Sequence, residues 1–466
     1  MARFKEKVVS LIGAQDMTVG NPTSVMLKFA VPLLIGNFAQ QLYNTVDAII
    51  VGKHIGDGAL GAVGASNPIL NLILSLFMGV ATGAGIVVAQ YFGAKDRKRL
   101  SKSVGNILLM TLVVGIVTTI FGIVITTPVL KLTQTPDDIF ADARSYLLII
   151  MAGFIGTAFY NMGAGILRGL GDSIMPLVFL LVACGINIVL DLLFVAAFKW
   201  GVAGVAYATI IAQFISAILT VWRIFSMKAQ LDFDKEAFTP DYPLCFRIVR
   251  IGLPAGLTQA IFASAQVFVQ SLTNSFGTAF IATTTAVMRV DGFAMMPNFT
   301  FGMAMTTYVG QNVGAKNKER VDKAAFHGLR MGLITSAVLI AAILIFSEGL
   351  LSIFTETEEV IDMGARMIRL LAFGYFAFCV TQTLGGIMRG AGDTMTPMVI
   401  SLITTIIVRL PSAYGIAYLT RSPELPNGMP ESIYYSLLIA WVIGAVATII
   451  AYLTGVWKRK IVWDAK

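Results

Sequence analysis

Charge is the scarcest thing in this sequence. Only 13% of its 466 residues are Asp, Glu, Lys or Arg, about half the roughly 25% that a soluble globular chain carries. Histidine occurs twice, at His54 and His327, and cysteine three times, at Cys184, Cys245 and Cys379. An odd number of cysteines in or beside apolar stretches argues against a disulfide framework, and none has metal-site spacing. The two isolated histidines have no nucleophile partner, so a membrane-embedded enzyme has no constellation to work with. No Gly-x-x-x-x-Gly-Lys-Ser/Thr run is present, which argues against direct ATP coupling within this chain. Residues 1–24 hold Arg3, Lys5 and Lys7 but only one short apolar run, 8–13. That run is too short for a signal-peptide core, so the segment reads as a cytoplasmic lead-in.

What is present is apolar length. Hydrophobic residues make up 56% of the chain and its mean hydropathy is +0.79. A span needs about 20 apolar residues, and twelve such runs are expected: 26–50, 61–91, 104–128, 141–166, 176–198, 202–224, 247–275, 281–311, 325–346, 363–388, 396–420 and 432–457. The longest polar interruption contains Asp232, Asp234, Lys235 and Glu236 and separates the sixth run from the seventh. The expected organisation is a lead-in (1–24), an N-lobe (25–224), a cytoplasmic linker (225–246), a C-lobe (247–457) and a cytoplasmic tail (458–466). Pro32, Pro254, Pro297 and Pro411 lie inside spans, where proline removes a backbone hydrogen bond and is expected to bend the helix.

The two lobes are copies of one unit. Gly165-Ile-Leu-Arg-Gly-Leu-Gly-Asp-Ser-Ile-Met-Pro176 recurs as Gly386-Ile-Met-Arg-Gly-Ala-Gly-Asp-Thr-Met-Thr-Pro397. Ala89-Gln-Tyr-Phe-Gly-Ala-Lys95 is echoed by Gly310-Gln-Asn-Val-Gly-Ala-Lys316 at the same offset, and Pro32 is echoed by Pro254 one residue further apart. Most of the basic residues fall on the even-numbered connections and the termini, among them Lys95, Arg97, Lys98, Lys316 and Lys318. The opposite connections carry Asp137, Asp138, Glu358 and Glu359. The positive-inside rule then places both termini in the cytoplasm. Six spans per copy is an even number, so the copies enter the membrane in one direction as parallel repeats. The fold class is an all-α polytopic membrane protein, twelve spans as two parallel six-helix repeats with a central cleft. Its expected home is the plasma membrane, as a monomer.

An acid near the bilayer centre costs about 2.5–3.5 kcal/mol on insertion scales and is a functional candidate by default. The first span carries Asn37, Gln40, Asn44 and Asp47 at three- and four-residue spacing, which keeps them on one helical face. The fifth carries Asn187 and Asp191, and the sixth places Thr209 about two turns in. The directions of these spans bring Asp47, Asp191 and Thr209 to compatible depths. Two carboxylates, an amide and a hydroxyl form a hard-oxygen site for H⁺ or Na⁺, and facing carboxylates resist double ionisation. The second copy keeps an amide stripe, Gln259, Gln266 and Gln270, but has Val269 and Ser412 where the first has Asp47 and Asp191. Met288, Asp291 and Arg409 are further cleft candidates. For Asp291 and Arg409 a structural salt bridge and a substrate role are both open. The repeated Arg-Gly-x-Gly-Asp turns read as a structural hinge or latch in which Arg and Asp pair locally, and Gly79–Gly85 reads as helix packing.

These residues resemble the multidrug and toxin extrusion (MATE) family along nearly the whole chain. The resemblance rests on Gln41-Leu-Tyr-Asn-Thr-Val-Asp47 leading into Val51-Gly52, on the paired Gly-Ala-Lys and Arg-Gly-x-Gly-Asp turns, and on Asn187-Ile-Val-Leu-Asp191 followed by Gly201-Val-Ala-Gly204. It implies two six-helix lobes that export amphiphilic, typically cationic, small molecules in exchange for H⁺ or Na⁺, with no other cofactor. It also implies a cation site at the positions matching Asp47, Asn187, Asp191 and Thr209. Some members carry acids in the seventh and tenth spans, where this chain has Gln266 and Gln270 in the seventh and none in the apolar body of the tenth. A flippase of a related fold, moving a lipid-linked precursor, is the alternative reading.

Overall fold

The computed structural model describes residues 14–54, 57–133, 135–353, 355 and 357–461, with side chains throughout except at 43–54, 57–60 and 460. Every regular element among them is helical. Helix is the form in which an apolar chain can satisfy its backbone within one segment when no water is present. Nine helices are long and apolar enough to cross a membrane, and two bent pairs bring the count to eleven among the described residues. The twelfth, Thr278–Gly314, is 37 residues long and is made less apolar by Arg289, Asp291 and its threonines. The spans are Pro22–His54, Asp57–Gly93, Arg97–Leu132, Asp137–Ala152 with Phe154–Gly169, Ile174–Ala197, Gly201–Ser226, Tyr242–Ser275, Thr278–Gly314, Ala324–Ser352, Glu358–Ala372 with Gly374–Gly390, Met395–Leu419, and Ser432–Leu453. The twelve-span reading of the sequence is borne out. Residues 1–13 of the lead-in and 462–466 of the tail lie outside the described residues.

The chain divides into two compact units. One takes Val31–Gly256 together with the described residues up to Met17, and the other takes Thr18–Ala30 and everything from Leu257. The linker packs within the first unit, against the start of the third span. Arg97 grips both oxygens of Asp232 at 2.6 Å, Lys98 pairs with Glu236 at 2.9 Å and Lys102 with Asp241 at 2.9 Å. The Asn106 side chain accepts the Asp241 N–H at 2.7 Å and donates to the Thr239 carbonyl at 3.0 Å.

The duplication extends to how the helices touch. In the first unit, a Cβ on Gly165 would run into the Ala81 carbonyl and one on Gly169 into the Gly85 carbonyl. In the second, Gly386 meets Gly302 and Gly390 meets Thr306 in the same relation, with the Thr306 hydroxyl donating to the Gly386 carbonyl at 3.1 Å. Small residues let these backbones come close enough to pack in lipid. Gly79 and Gly83 do likewise against Gly256 and Gly252 of the seventh span, as the packing reading of that glycine run expected. The paired Gly-Ala-Lys turns are superposable in form: Lys95 and Lys316 both adopt left-handed backbone, with φ 55° and 54°. Asp96 and Asn317 then cap the next helix through the N–H of Arg99 and Arg320.

The two spans that break into separate helices break away from the prolines. Helix continues through Pro32, Pro254 and Pro297, and Pro411 sits in the first turn of Leu410–Leu419. The fourth span instead bends by 51° at Gly153 and the tenth by 46° around Gly374, equivalent positions of the two repeats. At each, a neighbouring side chain occupies the space a Cβ would need: Ile210 at Gly153 and Trp441 at Gly374. Two further departures are π-helical segments, Leu192–Ala197 in the fifth span and Ile403–Arg409 in the eleventh.

Candidate functional site

Most polar side chains in the spans are chemically silent. Ser66, Thr111, Thr126, Thr220, Thr283 and Thr448 each donate to the carbonyl four residues back at 2.6–2.9 Å, which satisfies the hydroxyl within its own helix. The site candidates are those that do more.

In the fifth span the buried residues of Ile174–Asp191 are Pro176, Phe179, Ala183, Asn187 and Asp191. Steps of three and four residues make this one stripe, so Asn187 (1% exposed) and Asp191 (0%) share the face turned into the lobe. Asp191 therefore does not reach toward headgroups. The sixth span packs on that stripe, where the Ser216 hydroxyl donates to the Phe179 carbonyl at 3.2 Å. Thr209 on the sixth span is half-buried and donates to the Val205 carbonyl at 3.0 Å. Directly after Asp191 the helix widens into the π segment. Stacked Phe194 and Trp200, with ring centres 4.7 Å apart, then close the turn into the sixth span, with Lys199 in left-handed backbone at φ 56°.

The first span packs on the fifth where a Cβ on Gly36 would meet Leu177 at 3.4 Å. Val31, Ile35, Phe38 and Leu42 are its exposed side, while Asn37 and Gln40 are half-buried. Asn44 and Asp47 belong to the same helix, but their side chains lie outside the described residues.

The second unit brings together part of the expected set. Gln266 donates to the Met288 sulfur at 3.4 Å and accepts from Arg409 at 3.4 Å. Asp291 and Arg409 do not form the open salt bridge: Asp291 accepts from the Tyr375 hydroxyl at 2.7 Å, and no acidic oxygen among the described residues lies within 4.0 Å of the guanidinium. Gln270 pairs along its own helix with Asn274 at 2.9 Å, and Gln259 is exposed. The sequence reading missed Tyr375, Tyr434 and Thr284. The sequence reading did single out Asp291, but its tyrosine partner comes from another span and has no local signal.

The Arg-Gly-x-Gly-Asp turns also depart from expectation. Gly171 (φ 83°) and Gly392 (φ 97°) need left-handed backbone, which suits glycine. Arg168 and Asp172 do not pair locally. Asp172 instead takes Arg223 of the sixth span at 3.0 Å and caps the fifth span through the Met175 N–H at 3.0 Å. Asp393 caps the eleventh through Thr396, whose hydroxyl donates at 2.7 Å. The acid of each turn is fixed by what the next helix offers.

The MatE family matches residues 32–193 and 254–415, one match per repeat. The chain is 29% identical to Probable multidrug resistance protein YoeA of Bacillus subtilis over 444 residues, covering 93% of this chain and 94% of that protein. It is 25% identical to Probable multidrug resistance protein NorM of Thermotoga maritima, covering 94% and 93%. A crystal structure of MATE in the bent conformation aligns with TM-score 0.88 at 23% identity over 95% of this chain and 98% of that one. An outward-facing multidrug resistance MATE family transporter of the MOP superfamily aligns with TM-score 0.88 at 23% identity over 96% and 99%.

Proposed function

The chain belongs to the MatE family, and from that premise we propose that it is a secondary active antiporter of the plasma membrane. In this reading it exports amphiphilic, cationic small molecules in exchange for H⁺ or Na⁺, with both termini in the cytoplasm. The observation that carries the reading is the burial of Asn187 and Asp191 together on the inward stripe of the fifth span. A carboxylate withdrawn from water needs a proton or a cation to offset its charge. Asp47 is the second acid of the site, and Thr209 supplies a hydroxyl. Occupation by one positive ion would be favoured on the side where that ion is abundant. A driving force of about 150 mV corresponds to about 3.5 kcal/mol per charge, which sustains a cargo gradient of a few hundred-fold at one-to-one exchange.

The test uses the purified protein in sealed vesicles with pH and Na⁺ gradients imposed separately. Efflux of a fluorescent cationic amphiphile should follow one gradient in the wild type. Asp191→Asn, nearly identical in volume, should lose ion-driven efflux while its elution profile stays monodisperse. Undiminished efflux in that variant would remove Asp191 as the coupling group.

A further inference from the structure

We propose that the first turns of the ninth span carry a binding site for an anionic phospholipid, with Arg330 as the group that takes the headgroup phosphate. The leaflet rests on the export reading, which makes this end cytoplasmic; the site itself needs only a surrounding bilayer.

The ninth span, Ala324–Ser352, buries Gly328, Met331, Gly332, Ser336 and Ile340. On its open side Phe326 (65% exposed), Ile334 (58%) and Val338 (66%) form a row with Arg330 at four-residue spacing, which keeps them on one helical face. An exposed apolar row on a membrane span is its lipid face, and Arg330 interrupts that row. Arg330 is exposed and forms no ion pair among the described residues. It lies seven residues beyond Lys323, about 10 Å along the helix. Side chains lean toward the N-terminal turn of their helix, so the guanidinium is aimed back at the headgroups. A cation set in a lipid face extends that way to reach them, and an arginine fork fits two phosphate oxygens.

Snorkelling alone would serve any arginine near a membrane surface; the surroundings of this one add charge and a wall. His327, one turn before Arg330, is half-buried and within electrostatic reach of Arg330, Lys323 and Arg320. Glu319 neutralises Lys323 at 2.6 Å. Arg320 meets only uncharged groups: the Thr18 and Gly20 carbonyls at 3.0 and 2.8 Å and the Tyr308 hydroxyl at 3.3 Å. Two guanidinium charges therefore flank the His327 ring with no acid paired to either, which suits a phosphodiester of single negative charge. The Phe326 ring stands edge-on to His327, with centres 5.4 Å apart, and offers an apolar wall for the chain that follows the phosphate. The first repeat differs at each point. By the 221-residue offset it has Leu109 for Arg330 and Gly105 for Phe326, and the Ala237 carbonyl of the linker occupies the space a Cβ on Gly105 would need. Where the first repeat is covered by its own linker, the second presents an exposed ring and a cation.

The experiment measures binding with no ion gradient. The full chain in non-ionic detergent is titrated with dioleoyl phosphatidylglycerol or dioleoyl phosphatidylcholine, and the first bound lipid is counted by native mass spectrometry. Phosphatidylglycerol should bind at a concentration at least about tenfold lower, tenfold being about 1.4 kcal/mol. Arg330→Leu, which installs the residue of the first repeat, should erase that preference, and Arg330→Lys should keep most of it. Phe326→Ala should weaken phosphatidylglycerol binding several-fold and decides the matter if the leucine variant does not fold. Glycerophosphoglycerol, the same headgroup without chains, should leave the lipid bound at equal concentration. Equal binding of the two lipids by the wild type would overturn the proposal. So would a preference that survives Arg330→Leu, binding undiminished in Phe326→Ala, or displacement by the chainless headgroup. A protein that shows the preference yet exports nothing would sink the antiport reading alone; one that exports without the preference would sink this site alone.

Discussion

Replacing Arg223 by methionine should destabilise the first lobe by an amount that depends on pH. The side chain of Asp172 is 1% exposed and that of Arg223 is 23%. Both guanidinium contacts fall on one carboxylate oxygen, Nη2 at 3.0 Å and Nε at 3.3 Å. Removing one partner of a buried pair costs roughly 3–5 kcal/mol because the other charge is left stranded. Here the arginine is partly solvated and the Met175 N–H still serves the other oxygen, so about 2–3 kcal/mol is expected at neutral pH. Burial already lifts the Asp172 carboxyl above the ordinary carboxylate range, outweighing the Met175 N–H and the Arg223 pair. An acid with a raised folded-state pKa holds its proton more tightly when folded. Its contribution to stability therefore falls as pH rises from the ordinary value through the raised one. Without Arg223 the raised value climbs further, so the deficit of the variant widens with pH across that window and is smallest in acid. Apparent unfolding midpoints in detergent, taken at one scan rate for both proteins, should differ by several degrees at neutral pH and converge on acidification. A gap of equal size at both pH values would refute the stranded-charge argument and leave lost packing as the cause. Asp393 is the internal contrast. Its oxygens are met by the N–H and hydroxyl of Thr396, and Asp393→Asn should cost less than about 1.5 kcal/mol, since an amide oxygen still accepts.

Gly83→Ala would place a methyl carbon 2.7 Å from the Gly252 Cα. It should cost about 1–3 kcal/mol as overpacking, read as a lowered unfolding midpoint. Gly64→Ala meets nothing within 4 Å and should instead gain roughly 0.5–1 kcal/mol from the helix backbone, so equal effects from the two would contradict the packing assignment. Asp241→Asn removes a half-exposed pair with Lys102, whose hydrogen bond holds the Asp241 carboxyl below its ordinary range. That stabilisation is present above the ordinary value and lost as pH falls through the depressed one. The variant should show faster amide exchange in 228–241 at neutral pH by a few-fold at most, with no difference in strong acid.

The spans and their duplication were legible because apolar length and repeated turn motifs are written residue by residue. The linker was legible as a polar interruption, but its docking was not, since Arg97, Lys98 and Lys102 meet acids more than 130 residues away. Proline is a local rule, and it did not mark where the fourth and tenth spans break. Gly153 and Gly374 are 2 of 44 glycines, and nothing in their local sequence marks them as the places where a span breaks. Asp191 was found because a lone acid in an apolar run needs no partner to be conspicuous. Tyr375 and Tyr434 were passed over because tyrosine is ordinary in a membrane span, and its role here depends on Asp291 from a different helix.

The two π segments connect these points. Widening a helix by one residue per turn weakens its backbone hydrogen bonding and re-aims the side chains that follow, so it persists where something depends on that aim. In the fifth span the segment begins right after Asp191, and in the eleventh it ends on Arg409. The fifth span has no proline between Pro176 and its segment, whereas in the eleventh Pro411 lacks the N–H that would bond the Ile407 carbonyl inside the segment and its ring crowds that carbonyl. The two loosened turns do not occupy corresponding positions, since 403–409 less the 221-residue offset is 182–188, where the fifth span is regular α-helix; what they share is that each adjoins a buried ionisable group, Asp191 in one repeat and Arg409 in the other.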